Sequence, residues 1–285
     1  MKPQKSTLLI ALLFLVGMAL LLYPVVSDHW NRLHQSRAIA GYVEAVADLN
    51  EEEYQKQWQD AQAYNEELVH NPDRYHMTQE QEQTYQKLLN MNGNGIMGYL
   101  EIPSISVSLP IYHGTSDAIL QVAAGHLEGS SLPVGGLGTH TVLSGHRGLP
   151  SAKLFTDLDE LSEGDRFILH ILNERLVYEV EEVRVVEPED VSSLELEPER
   201  DLCTLVTCTP YGINTHRLLV TGHRVEETSQ ESLIPANLHS DAIEVESVFV
   251  LPTVAMGVLF FVLIGTRFWN RNNQKRTEWE RKDET

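Results

Sequence analysis

Two apolar runs, one near each end of the chain, constrain this sequence more than any other feature. Residues 7–26 contain no charged side chain, and neither do residues 248–266. Crossing the hydrocarbon core of a bilayer takes about 20 apolar residues in a helix, so each run is a candidate span. Pro252 lies near the start of the second run, where neighbouring groups can satisfy the freed carbonyl. Lys2 and Lys5 precede the first run, and Arg267, Arg271, Lys275 and Arg276 follow the second. The positive-inside rule then puts both tails in the cytoplasm and everything between them outside. The other reading of the first run is a cleaved signal peptide. It ends in no A-x-A site and is long for a signal's apolar core, so a retained anchor is expected.

Charge adds one exclusion. The chain carries 41 acidic and 21 basic residues, a formal charge of −20. Both tails are basic, so the middle is more acidic still. A nucleic-acid partner needs a basic face, and none is offered. Two cysteines occur, Cys203 and Cys208. On one extended strand they lie about 16 Å apart and on opposite faces, beyond the roughly 5.5 Å that a disulfide spans. Cys203 reads as a small buried hydrophobe. Cys208 is a free thiol in an extracytoplasmic segment, which points to a task for it.

The expected order of parts is a cytoplasmic N-terminus (1–6), an anchor (7–26), a helical membrane-proximal region (27–94), a β-domain (95–225), an acidic linker (226–247), a second span (248–266) and a basic tail (267–285). In 28–70, Ile39, Tyr42, Val43, Val46, Leu49, Trp58, Ala61, Tyr64 and Leu68 roughly follow a 3.6-residue period, with Asn71-Pro72 as a stop. One or two amphipathic helices are expected, docked on the domain rather than standing as a solvated stalk. Residues 77–92 read as another short helix, with Thr78 as N-cap and Gln81 three residues on. From Gly98 onward the pattern changes to short strands at 99–102, 105–111, 141–144, 167–172, 175–186, 202–209 and 217–225. Turn signals separate them, and residues 117–124 read as a brief helix capped at Ser116. Regularly spaced short strands predict an antiparallel barrel or sandwich.

The chemistry gathers at 204–220. Two β-branched apolar runs flank a loop holding Pro210, Gly212 and Asn214, which predicts strand, turn, strand. Antiparallel pairing at about 4.8 Å sets Cys208 beside Arg217. A fixed guanidinium favours the thiolate and can stabilise an oxyanion formed on the carbonyl it attacks. Such a nucleophile needs a histidine partner, and twelve are present. His113, His126, His140, His146 and His216 lie near turns, with His223 further along the last strand. His146 closes a strand between Gly145 and Gly148, a context that exposes a side chain on a barrel rim. His216 adjoins Arg217, so on a regular strand the two face opposite sides. Spacing favours His146 and leaves the others open. No His/Cys cluster has zinc-ligand spacing, and no acidic loop matches an EF-hand.

The string TLVTC at 204–208, with arginine nine residues after the cysteine, resembles the sortase family. CTPYGINTHR at 208–217, LSGHRGLP at 143–150 and IYHGT at 111–115 are similar to class C, the pilin-polymerising sortases. The resemblance covers roughly residues 95–225. It implies a mainly β protein with a closed antiparallel eight-stranded barrel, N-terminal helices and a transmembrane helix at each end. It also implies Cys208 as nucleophile, His146 as catalytic histidine and Arg217 as oxyanion-binding and substrate-orienting cation, with no cofactor. The implied substrate is a surface protein or pilin bearing a Leu-Pro-x-Thr-Gly-like sorting signal, cut between Thr and Gly. The implied acceptor is a pilin lysine or a cell-wall peptide amine. Class C members carry an Asp-Pro-aromatic lid before the barrel. Here residues 71–75 read NPDRY, the same ingredients in another order. A lid would set Asp73 against Arg217 and Tyr75 over Cys208; the other reading is a plain surface connector.

Three other functions share parts of this pattern. Anchoring of monomeric proteins to the wall uses the same thioacyl step and differs in the incoming amine. A cysteine protease would use water as acceptor. A non-catalytic tethered barrel would hold Cys208 as a core residue.

Overall fold

A computed structural model describes residues 3–226 and the isolated positions 257, 260 and 265. The expected linker, second span and basic tail therefore lie outside the described residues, apart from Glu226 and those three positions. The chain divides into two compact units, and residues 28–226 belong to one of them.

The first helix, α1 (Pro3–Ala47), runs without a break through the expected boundary at 26–27. It is long and apolar enough to cross a membrane. The second, α2 (Glu51–Leu68), starts where Asn50 caps Glu53 and Glu53 returns the bond, with three glutamates in the first turn to complement the helix dipole. The third, α3 (Gln79–Tyr85), has the expected reciprocal cap between Thr78 and Gln81. It stops seven residues short of the expected end at 92: Lys87 and Leu88 N–H bond three residues back, to Thr84 O and Tyr85 O, and Leu89 then turns left-handed (φ 57°).

These helices dock rather than stand clear. Tyr42, Val46, Ala61, Tyr85 and Leu89 all belong to the main buried core. The Tyr42 hydroxyl donates to Met97 O at 3.1 Å and accepts from Leu172 N–H at 2.7 Å. Asn65 exchanges two bonds with the backbone of Leu132, at 3.0 and 2.7 Å.

The β-domain is a closed barrel of β1 (Ile96–Ile102), β2 (Val107–His113), β3 (Ala124–His126), β4 (Thr139–Ser144), β5 (Arg166–Ile171), β6 (Glu174–Val186), β7 (Asp201–Thr209) and β8 (His216–Val225). The strand order is β1-β2-β3-β4-β7-β8-β6-β5. Two expectations need correction. The barrel is not wholly antiparallel: β2 pairs with β3, and β4 with β7, in parallel. The β4–β7 connection crosses over through the β5–β6 hairpin, and the β2–β3 connection carries α4 (Asp117–Leu120), so each returning strand runs the same way as its partner. The eighth strand, β3, begins at Ala124, where the brief helix was expected to end; the helix itself stops at Leu120. Three residues reading Ala-Gly-His carry no alternation from which a strand could be read.

Along β7, Cys203 and Leu205 belong to the interior core, while Val206 packs in a smaller apolar patch with Val142, Val186, Leu194, Leu219 and Leu127. The alternation places that patch on the outer face of β4, β7 and β8.

Candidate active site

The β7–β8 hairpin supplies two of the three expected residues. Its register pairs Cys208 with Arg217, Thr207 with Leu218 and Val206 with Leu219. Leu219 and Val206 lie on the outer face, so the parity of the strands puts Cys208 and Arg217 there too, one step from the open end. Directly opposed residues share a face, with Cβ atoms about 4.5–5.5 Å apart. Arg217 Nη1 donates to His216 O at 3.1 Å, which steadies the guanidinium at the mouth of its own hairpin.

The third residue comes from the far side of β7. The parallel β4–β7 register ends at Ser144 opposite Val206, and Gly145 N–H donates to Val206 O at 3.0 Å. Thr207 Oγ1 donates to Gly145 O at 2.8 Å. Two residues further along each chain, His146 reaches the level of Cys208. Cys208, Arg217 and His146 are all partly exposed. Gly145 is needed for this approach: a Cβ there would lie 2.6 Å from the buried ring of Phe155. Phe155 N–H in turn donates to His146 O at 3.1 Å, folding the following loop back beneath the histidine.

The other histidines have different employment. His126 is fully buried, its Nδ1 2.9 Å from the Tyr85 hydroxyl and its Nε2 2.8 Å from Ser131 O. Burial pulls its pKa down to about 4. His113 bridges Gly95 O and Leu88 O, at 2.9 and 2.8 Å. His140 bonds Glu195 O at 2.9 Å and the Thr204 hydroxyl at 2.7 Å. Burial lowers the pKa of both. His216 meets Glu187 at 3.3 Å, and His223 meets Glu181 at 3.0 Å. His170 bonds Glu101 at 2.9 Å and stacks on Tyr99.

Cys203 is wholly buried, and burial holds its thiol well above the usual range. Both cysteines are free. Among the described residues, no group of three or more His, Cys, Asp or Glu side chains is placed to hold a metal.

The two side chains expected to close on the site have other partners. Asp73 pairs with His76 at 2.7 Å, not with Arg217. Tyr75 lies under the Arg74 guanidinium, 4.9 Å from its ring centroid, and Arg74 donates to Leu194 O at 3.0 Å. Leu194 belongs to the outer apolar patch, so residues 74–75 border that patch. One feature next to the site was not read from the sequence. Arg147, directly after His146, pairs with Asp159 and lies over the ring of Tyr211.

The sortase domain model matches residues 100–225. Sortase D of Bacillus subtilis is 34% identical over 131 residues, which covers 45% of this chain and 63% of that protein. The match thus spans less than two thirds of that curated relative. Sortase C1 from Streptococcus agalactiae, a solved structure, is 49% identical with a TM-score of 0.66, covering 67% of this chain and all of that one (100%). Sortase C of Streptococcus pneumoniae, whose structure is described as bearing on catalysis and pilin substrate specificity, is 42% identical with a TM-score of 0.60, covering 68% of this chain and 98% of that one.

Proposed function

The chain belongs to the sortase family of cysteine transpeptidases, with class C members among its solved relatives, and from that premise we propose that it builds covalent pili. In this reading it is a membrane-held transferase that cuts a Leu-Pro-x-Thr-Gly-like signal between Thr and Gly. It then joins the new carboxyl end to a lysine amine of the next pilin.

The observation that carries this reading is the meeting of three strands. Cys208 lies opposite Arg217 in one register, and the β4 end bearing His146 runs alongside. Cys208 Sγ attacks the Thr carbonyl carbon, and the carbonyl oxygen takes up negative charge beside the Arg217 guanidinium. His146 delivers a proton to the Gly nitrogen as the C–N bond breaks, leaving a thioester and a free amine. The incoming lysine amine then attacks the thioester, gives up a proton to His146, and releases the Cys208 thiolate. Covalent catalysis divides one difficult exchange into two easier steps, and a fixed cation at the forming oxyanion lowers both barriers. The buried apolar cluster of Val142, Val186, Leu194, Leu219 and Val206 lies on the same face and supports the strands that carry the site. In this reading residues 71–75 serve as a lid: Arg74 and Tyr75 meet Leu194 of that cluster, while Asp73 holds His76.

Topology completes the proposal. The N-terminal helix anchors the protein, the second apolar run crosses back, and both tails are cytoplasmic. Protease added to intact protoplasts then removes the middle of the chain and spares a C-terminal tail epitope. A tail accessible from outside contradicts this topology.

The decisive experiment incubates the full chain in membranes with a pilin carrying the sorting signal. Ladders of covalently joined pilin, absent with Cys208→Ala, are the expected result. Transfer only to a wall-peptide amine supports surface anchoring instead, and release of cleaved signal with no adduct supports a protease.

A further inference from the structure

Cys208 and His146 each sit where a strand gives way to a loop. Below them the two strands are laced together by Gly145 N–H to Val206 O and Thr207 Oγ1 to Gly145 O. Above them, regular pairing has ended. The residue that spans this gap is Arg147. Its side chain is only 9% exposed, deep for a guanidinium beside a cleft. One end pairs with Asp159, from the 3₁₀ turn at Leu158–Glu160. Its cationic centre lies 5.8 Å from the ring centroid of Tyr211, three residues after Cys208. A cation within about 6 Å of a ring centroid is attracted by the ring's negative face.

The neighbouring residue supports the same contact. Gly148 has φ 74°, and a Cβ there would lie 3.0 Å from Tyr211 Cε2. The loop after the histidine is thus shaped to let the tyrosine ring approach its backbone. Tyr211 is otherwise 60% exposed, so the core does not hold the ring in place.

We propose that Arg147 is a positioning residue that clamps the loop leaving Cys208 to the loop leaving His146, through the face of Tyr211 and with Asp159 as its anchor. The clamp closes the open side of a frame whose other side is the β4–β7 ladder, and it keeps imidazole and thiol at one level while acyl groups enter and leave. It rests on the transferase reading for its purpose, but not for its geometry. Lysine cannot replace the arginine, because an ammonium offers neither a planar face to the ring nor a fork to the carboxylate.

The test uses the full-length chain in detergent. Its first readout needs no substrate: iodoacetamide labelling of Cys208 from about pH 5 to about pH 9, a range over which alkylation reports thiolate reactivity. Labelling of buried Cys203 in the same samples reports loss of fold. Arg147→Gln, Arg147→Lys and Tyr211→Ala are each expected to move the Cys208 profile while Cys203 stays protected. They should also lower kcat by about 10- to 100-fold with KM little changed, as expected for a misplaced reacting group. Combining Arg147→Gln with Tyr211→Ala should cost no more than Arg147→Gln alone, because that variant has already lost the contact with the ring. Tyr211→Phe keeps the ring and should restore the parent profile.

Unchanged profiles in the single variants overturn the clamp. So do losses that multiply in the double variant, a near-normal Arg147→Lys, or Cys203 labelling that rises in step. A parent chain that joins no sorting-signal substrate, with the variants' profiles still shifted, overturns the transferase reading and leaves the clamp standing.

Discussion

The two faces of β7 carry the same chemical group to opposite ends. Cys203 points inward, among Leu205, Leu218, Val220 and Phe167 in the main core. Cys208, an odd number of residues later, points outward near the rim, opposite Arg217. Inside, nothing compensates the desolvation of a thiolate, so burial pushes the Cys203 thiol up and leaves it inert. Outside, the neighbours are a guanidinium and a strand end carrying an imidazole. Reactivity here is a matter of strand parity and of height on the barrel, not of the amino acid.

The largest effect expected from this contrast is on the cysteines themselves. Cys208→Ala should remove all covalent product and leave the melting temperature nearly unchanged, since a small, partly exposed side chain at a strand end leaves little cavity. Cys203→Ala should retain turnover and lose roughly 0.5–1.5 kcal/mol of stability, about the cost of one buried methyl-sized group. Gel analysis of pilin ladders and a urea titration check the pair. Ladders from the Cys208→Ala protein would reverse the comparison.

Next in size is Arg217→Lys, which keeps the outer face's charge but not its planar fork. A loss of about 10²–10³ in kcat is expected, the range for removal of one oxyanion donor. Single-turnover cleavage of a signal peptide measures it. A near-normal lysine variant would reduce Arg217 to support of its own hairpin loop.

A third prediction extends the contrast to histidines. His126 is buried and its pKa falls to about 4. Its neutral form is favoured by the fold, so its contribution is complete above the unfolded value of about 6.5 and is lost as pH falls toward 4. The loss is on the order of 3 kcal/mol, and His113 and His140, also lowered, act in the same direction. Urea midpoints at about pH 7, 5.5 and 4.5 should decline together. A flat profile would mean that the interior accommodates imidazolium.

The smallest expected effect lies at the edge of the outer patch. Asp73→Ala combined with Tyr75→Ala should speed labelling of Cys208 by about fivefold at most, because the ion pair that Asp73 makes is an exposed one with its near neighbour His76. The melting temperature should hardly move. Equal labelling rates would leave residues 71–75 a connector with no part in access.

What the sequence settles by itself is local. The β7–β8 hairpin is legible because alternation defines both strands and a short Pro-Gly-Asn loop joins them. The expected meeting of Cys208 and Arg217 is the observed register. The Thr78–Gln81 cap is legible for the same reason: both partners lie within one turn of helix. That Cys203 and Cys208 face opposite ways follows from parity alone. Tertiary structure decides the rest. His146 comes level with Cys208 only because β4 and β7 pair in parallel across a crossover, and no spacing within either strand encodes that choice. The strand Ala124–His126 is too short to show a period and exists because β2 and β4 offer it edges to pair with. The contact of Arg147 with Tyr211 joins two loops that are distant in sequence, each of which reads alone as an ordinary turn. Hairpin pairing is set by a few neighbouring residues. Pairing between distant segments is set by which closure of the whole barrel buries the most apolar surface, and that is a property of the folded chain as a whole.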